Sequence, residues 1–241
     1  MAGFLGKGEV YVDRDNQGKY FKIGNTTKFA ISETEAEVKE RISKQTDTYG
    51  QALDRVALPK PAKITIELDE IDADNLALAL RGSASDISYS GSVTSEAVTA
   101  HVGYYVELEH TGVSNVVVKD ATDSVTYDEG TDYEVAASAG LLKVLSGGAI
   151  AEGDVLHVSY DYQNTGSRIA GSQATEMTGG IILEGVNMAN NKECVVYVRQ
   201  ARLMPTSPVD FLGDDFTVVT LEGTLITPSG ESEPYYVDYR S

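Results

Sequence analysis

The amino-acid sequence predicts a mainly β protein in which two antiparallel sheets pack as a sandwich or barrel, with one flanking α-helix and a small inserted β-sandwich-like domain. Composition is one reason, because 23 Gly, 14 Tyr and frequent Val and Thr among 241 residues favour pleated strands joined by tight turns. The other reason is a recurring alternation of apolar and polar residues, which is typical of half-buried strands. These runs lie at residues 9–13, 19–23, 63–68, 104–108, 115–119, 141–145, 155–161, 180–184, 194–199, 216–226 and 235–239.

One helix is predicted over residues 72–80, with the sequence DADNLALAL. Asp72 can cap its first turn, and three leucines follow among helix-favouring alanines. Gly82 is expected to end the helix. Residues 33–43 are charged and poor in apolar positions, so a second helix and a long polar strand are both open for them. Residues 44–61 have little periodicity and contain two prolines, which predicts an extended loop.

Charge is distributed unevenly and suggests how the chain is divided. Residues 1–63 hold 11 basic and 9 acidic residues, residues 64–167 hold 3 and 18, and residues 168–241 hold 5 and 10. The acidic middle is bounded by small, polar segments, residues 82–100 and 164–177, which are interpreted as linkers. We therefore predict a discontinuous β domain from residues 1–96 and 165–241, and an inserted β domain at residues 97–164.

Several classes of function lose support at this stage. A formal net charge of −18 is too acidic for a protein that binds nucleic acid by neutralising phosphates. The chain has no apolar stretch long enough for a membrane-spanning helix, and residues 1–10 lack the apolar core of a signal peptide, so a soluble protein is expected. The single cysteine, Cys194, excludes an internal disulfide and a multi-cysteine zinc site.

No motif predicts catalysis, a metal or a cofactor, so the chain is not expected to be an enzyme. The three histidines lie outside metal-binding spacings, and no nucleophile elbow is present. The densest acidic run surrounds the end of a predicted strand and the start of the helix. Because strand alternation and the helix start point these carboxylates in several directions, a solvated rim with one helix cap is the better interpretation.

Four segments together resemble the major tail tube proteins of long-tailed, siphovirus-like bacteriophages. They are KYFKIGNTTKFAIS (residues 19–32), KITIELDEIDADNLALALRG (63–82), GGIILEGVNMANNKECVVYVRQARLMP (179–205) and FLGDDFTVVTLEGTLI (211–226). The acidic strand-to-helix junction and the GDDF step before the last long strand carry most of the resemblance. The middle of the chain resembles the small β modules inserted into phage virion proteins.

The resemblance implies a structural virion protein that self-assembles into stacked hexameric rings. The rings would form the tail tube, through which DNA passes without specific binding during ejection. The implied partners are further copies of the chain and the tape measure, tail terminator and distal tail proteins, with no membrane partner. The implied location is the virion tail, assembled in the host cytoplasm. The inserted domain, at residues 97–164, is expected to project outward from the tube.

Two groups of residues are candidates for assembly and for the fold that supports it. An arm that docks on an acidic part of a neighbouring subunit is expected to use Lys39, Arg41, Lys44, Tyr49 and Arg55. The strand-helix junction is expected to depend on four further residues: Glu67, Asp69, Asp72 and Asn75.

The main alternative is a β-sandwich module for carbohydrate binding or adhesion, on a virion or a cell surface. It rests on four tyrosines that could offer aromatic faces to sugars. They are Tyr104, Tyr105, Tyr160 and Tyr162. A hydrolase that uses paired carboxylates ranks below both.

Overall fold

A computed structural model describes residues 3–240, in which sixteen strands and one helix form two compact units. The prediction of a mainly β protein with antiparallel sheets and a single helix is confirmed. Unit 1 comprises the described residues up to Ala84 and from Ile169 onward, and unit 2 comprises Ser85–Arg168. The elements are β1 (Gly6–Asp13), β2 (Tyr20–Lys22), β3 (Thr26–Ser32), β4 (Glu37–Ile42), β5 (Ala52–Leu58), β6 (Lys63–Leu68), α1 (Ala73–Ala79), β7 (Ser83–Thr99), β8 (Tyr105–Glu107), β9 (Val113–Asp120), β10 (Tyr133–Ala136), β11 (Leu141–Val144), β12 (Val155–Ala170), β13 (Met177–Asn187), β14 (Lys192–Pro205), β15 (Val219–Ile226) and β16 (Tyr235–Tyr239).

Unit 1 is built on one continuous eight-stranded antiparallel sheet. The strand order is β2-β1-β13-β14-β15-β6-β3, and β16 pairs with the first half of β14. The second half of β14 pairs with β15, so this long strand belongs to both parts of the sheet. β2 and β3 lie at the two ends of this order, each bonded to one neighbour, and β16 is bonded to β14 alone.

Side chains from both ends of the sheet meet in one core. Along β6, Ile64, Ile66 and Leu68 are buried while the residues between them are less so, which is the two-residue period of a half-buried strand. They share a cluster with buried residues of the other half of the sheet, including Val12 and Ile181. Each such side chain contributes about 1.5–3 kcal/mol when it is fully buried.

Helix α1 packs its buried residues Ala77, Leu78 and Ala79 toward this core. The predicted cap is confirmed, since the Asp72 carboxylate accepts a hydrogen bond from the Asn75 amide at 2.7 Å. At the other end, the Gly82 amide donates to the Ala77 carbonyl, and the Arg81 amide donates to the Leu78 carbonyl. This is a Schellman motif, in which the left-handed position is occupied by Arg81, with φ +52°, and not by the glycine.

Three predicted loop or linker segments are strands in the structure. Residues 44–61 contain β5, which pairs with β4, and β4 also decides residues 33–43 in favour of a strand. The segments interpreted as linkers lie largely in β7 and β12, which pair in one sheet. These strands carry small or polar side chains with few buried positions, so they lack the apolar alternation by which strands are recognised.

Unit 2 is a small sandwich of two three-stranded sheets, with strand orders β10-β11-β8 and β7-β12-β9. Leu142 and Val144 from the first sheet share a buried cluster with Val118, Leu156 and Val158 from the second. Its limits, Ser85–Arg168, lie outside the predicted 97–164 because β7 and β12 extend as paired strands beyond the apolar core.

Asp132 fixes a loop of unit 2 and should make this unit sensitive to acid. Its carboxylate accepts hydrogen bonds from the Ala149 amide at 2.7 Å and the Asp128 amide at 2.9 Å. Both bonds lower the pKa of the Asp132 carboxyl below its ordinary value, and the bond from Ala149 has the larger effect. The stabilisation is therefore present above about pH 4 and is lost as pH falls through the lowered pKa.

We therefore expect Asp132→Asn to be less stable than the wild type at pH 7, with a difference that narrows as the pH falls below about 4. The difference in the free energy of unfolding is measured by urea denaturation at several pH values. Glu129→Gln is the control, because it removes a nearby exposed carboxylate that makes no hydrogen bond within the described residues. A difference between Asp132→Asn and the wild type that stays constant down to pH 2 would contradict the prediction.

Candidate functional site

The clearest candidate surface is a protruding hairpin, formed by β4, β5 and the tip between them, which we call the arm (residues 37–58). Every residue of both strands is exposed. Its exposed side chains include apolar ones, with Ile42 at 54%, Leu53 at 49% and Val56 at 55%. A two-stranded sheet without other packing is marginally stable in water. The arm therefore has the character of a segment that another surface covers.

The charged residues of the arm are distributed over both of its faces. Lys39 and Arg41 lie opposite Val56 and Asp54 on one face, whereas Arg55 lies opposite Glu40 on the other. The structure therefore does not bring the predicted basic residues together as one patch.

Most of these charges are also paired within the arm. Arg41 contacts Asp54 at 2.6 Å and Arg55 contacts Glu40 at 3.6 Å, while Lys39 lies 3.9 Å from Glu37. Residues 37–58 contain four basic and four acidic residues, so the arm has no net charge. The positive charge that the sequence suggested for docking is therefore absent, and the exposed apolar side chains remain as the candidate contacts, with Ile42 on one face and Val56 on the other.

The tip of the arm is held by its own hydrogen bonds. The buried Ser43 donates its amide to the Gln51 carbonyl at 2.8 Å, and its hydroxyl lies 2.7 Å from that of Thr48. Gly50 takes the turn with φ +81°. Tyr49 stands beside it with 75% of its surface exposed, and Lys44 is exposed on the same turn. The tip thus presents a tyrosine and a lysine on an ordered turn.

The strand-helix junction is a polar latch inside unit 1. Asn75 is fully buried, and its side-chain amide donates to the Ile23 and Glu70 carbonyls, both at 3.0 Å. Asp69 accepts a hydrogen bond from the Asn25 side chain at 2.7 Å. Two of the four predicted residues, Asp69 and Asn75, therefore bond residues 23–25, while Asp72 caps the start of α1. The fourth, Glu67, instead pairs with Lys28 at 2.8 Å on the face of the sheet.

A second exposed apolar surface, which the sequence did not indicate, lies in the loop that joins β14 to β15, which we call the 206–218 loop. Phe211 is 70% exposed, and Leu212 and Phe216 are each 94% exposed. The sequence FLGDDF carries part of the family resemblance and contains three large apolar residues. These residues follow no helix or strand period, so the sequence does not indicate whether their side chains are buried or exposed.

The tyrosines of the carbohydrate-binding alternative have different environments. Tyr104 and Tyr105 are 72% and 54% exposed. Tyr160 is buried, and its hydroxyl donates to Glu96 at 2.6 Å. Tyr162 stacks on His110 with ring centroids 3.8 Å apart. Two of the four tyrosines are thus engaged inside unit 2, which leaves two for an external ligand.

Within residues 3–240, no three His, Cys, Asp or Glu side chains come together as metal ligands. In the same part of the chain, no helix has the length and apolar character needed to span a bilayer.

Comparison with known proteins gives one family match. A protein-family model described as "Protein of unknown function UCP028589" matches residues 3–233, which is nearly the whole chain. A search of curated proteins finds no match.

Proposed function

This chain belongs to the family described as protein of unknown function UCP028589, and from its geometry we propose that it is the subunit of a bacteriophage tail tube. Its copies assemble into hexameric rings that stack into a tube in the virion tail, after assembly in the host cytoplasm. The tube conducts DNA and meets the tape measure, tail terminator and distal tail proteins. The proposal gives the chain no catalytic role, cofactor or metal.

The observation that carries the proposal is the exposed arm. Both of its strands are exposed throughout, and they carry apolar side chains that a soluble monomer would leave in water. Exposed apolar surfaces of this kind mark sites of association. We place the surface that covers the arm on another copy of the same chain. Repeated association of this kind produces a polymer.

The open edges of the sheet in unit 1 support ring closure. β3 has seven residues and pairs with β6 alone in the strand order, and β2 is a short strand at the opposite edge. Unpaired edges recruit other strands, and a closed ring of subunits removes them. We assign lateral contacts within a ring to these edges and contacts between rings to the arm.

The charge of the chain agrees with a conduit for DNA. A wall rich in Lys and Arg would retain DNA through its phosphates, whereas carboxylates repel them and let the polymer slide. The chain carries 37 acidic and 19 basic residues. We propose that a minority of the acidic residues line the channel, and that the acidity of unit 2 keeps neighbouring copies apart.

Assembly tests the proposal directly. The purified protein is expected to be monomeric at low concentration and low salt, and to form hollow filaments with a regular ring spacing as both rise. Salt should help because screening weakens repulsion between subunits of net charge −18. Light scattering follows the size, and negative-stain microscopy identifies the filaments. A protein that stays monomeric at the highest concentration and salt would contradict self-assembly, and glycan binding by that monomer would favour the carbohydrate-binding alternative.

A further inference from the structure

We infer that the tip of the arm of one copy docks in the groove beside the 206–218 loop of the next copy, with Tyr49 as the inserted side chain. This inference rests on the proposed function and specifies which two surfaces of the chain meet. The occupant is a second copy of this chain.

The groove lies between the start of α1 and the 206–218 loop, and its volume is about 340 Å³. Its apolar lining includes Ile71, Leu76, Phe211 and Phe216, and its rim carries Asp69 and Asp210. All of these residues belong to unit 1. Phe216 is 94% exposed, so it has far more surface to bury against a partner than it buries within its own chain. The groove is large enough to receive one aromatic side chain.

The charged residues that line the groove are Asp69 and Asp210. The two segments that form it, residues 69–80 and 206–218, carry five further carboxylates and no Lys or Arg. A partner that fits must therefore bring apolar surface together with hydrogen-bond donors or positive charge, and an acidic partner is disfavoured.

The tip of the arm has these properties. Tyr49 offers an aromatic ring that is 75% exposed, and its hydroxyl can donate a hydrogen bond to a carboxylate on the rim. Lys44 lies beside this turn and forms no ion pair within the described residues, so its charge is available to Asp69 or Asp210. The tip also carries one carboxylate, Asp47, which must face away from the groove. The internal hydrogen bonds of Ser43 hold this turn in shape before docking, which reduces the entropy lost on binding.

The contact would join two different surfaces of identical chains. Such a head-to-tail contact does not close as a symmetric dimer, and each copy keeps one tip and one groove for further copies. It therefore propagates, which is the behaviour that a stack of rings requires.

Cross-linking of cysteine variants tests the inference, because the one native cysteine, Cys194, is buried and should react little. Thr46→Cys and Leu212→Cys, exposed neighbours of Tyr49 and of the groove lining, are made separately and together, and treated with a short bismaleimide under assembly conditions. A mixture of the two single variants should give a cross-linked dimer, and the double variant should give a ladder of higher oligomers. Thr46→Cys with Val117→Cys is the matched control, because Val117 is an exposed residue of unit 2, and it should give no ladder.

The outcomes separate the inference from the proposed function. Tubes together with a ladder from the Thr46→Cys, Leu212→Cys variant support both. Wild-type tubes without any cross-link between positions 46 and 212 overturn the docking inference and leave the tube proposal standing. A ladder of equal yield from the control pair also overturns the inference, because it shows non-specific contact. If neither the wild type nor any variant assembles and no cross-link forms, both are overturned.

Discussion

Tube assembly is expected to fail when Ile42, Leu53 and Val56 of the arm are replaced together by threonine, although the subunit stays folded. The three side chains are about half exposed in the monomer, so threonine removes little from its core. Threonine also keeps the preference for strands. If each apolar side chain contributes roughly 1 kcal/mol to docking, the loss of three raises the critical concentration on the order of 100-fold.

The measurement is the concentration at which filaments appear, by light scattering and negative-stain microscopy, with circular dichroism to verify folding. Val117→Thr, Val125→Thr and Val155→Thr together form the matched control, because these valines have similar exposure and belong to unit 2. The control is expected to assemble as the wild type does. An arm variant that polymerises at the wild-type concentration would show that the apolar residues of the arm make no assembly contact.

Among the substitutions considered for folding stability, replacement of Asn75 by alanine is expected to lower the free energy of unfolding the most. Asn75 is fully buried, and its amide donates to two backbone carbonyls, those of Ile23 and Glu70. Alanine removes the donor from both carbonyls. The Ile23 carbonyl is buried, so the loss of its partner costs about 1–3 kcal/mol, whereas Glu70 is an exposed residue. We expect the free energy of unfolding to fall by about 1–3 kcal/mol, as measured by urea denaturation of the full chain.

The control for this substitution is Asp74→Ala, which changes the neighbouring residue of the same helical turn. Asp74 is exposed, so its replacement is expected to change stability by about 0.5 kcal/mol or less. Equal effects of the two substitutions would mean that any change at the start of α1 lowers the stability, and that the hydrogen bonds of the Asn75 side chain are not the cause.

The fold class and the helix could be predicted from the sequence because their signals are local. Asp72 followed by a run of alanine and leucine specifies where α1 begins, and the alternation in β6 specifies which residues enter the core. The arm could not be predicted in the same way, because the strands of an exposed hairpin bury no face. Its pairing depends on the register between residues distant in sequence, such as Arg41 with Asp54.

The candidate site was predictable in part for a related reason. The positions of the arm and of Tyr49 followed from composition and resemblance, but the pairing of each basic residue with an acidic one depends on which strand faces which. The exposure of Phe216 depends on the path of the 206–218 loop, which no periodic pattern specifies. The sequence also could not show that the side-chain amide of Asn75 donates a hydrogen bond to the carbonyl of Ile23, which lies 52 residues earlier in the chain.

The long paired strands β7 and β12 have an evolutionary consequence. The chain enters unit 2 at Ser85 and leaves it at Arg168, and the hydroxyl of Ser85 donates to the Arg168 carbonyl at 3.5 Å. Because the two ends lie side by side, excision of the coding segment between them leaves a gap that a tight turn can bridge. A lineage can therefore acquire, exchange or lose this module in one recombination event, with the path of the flanking polypeptide unaltered.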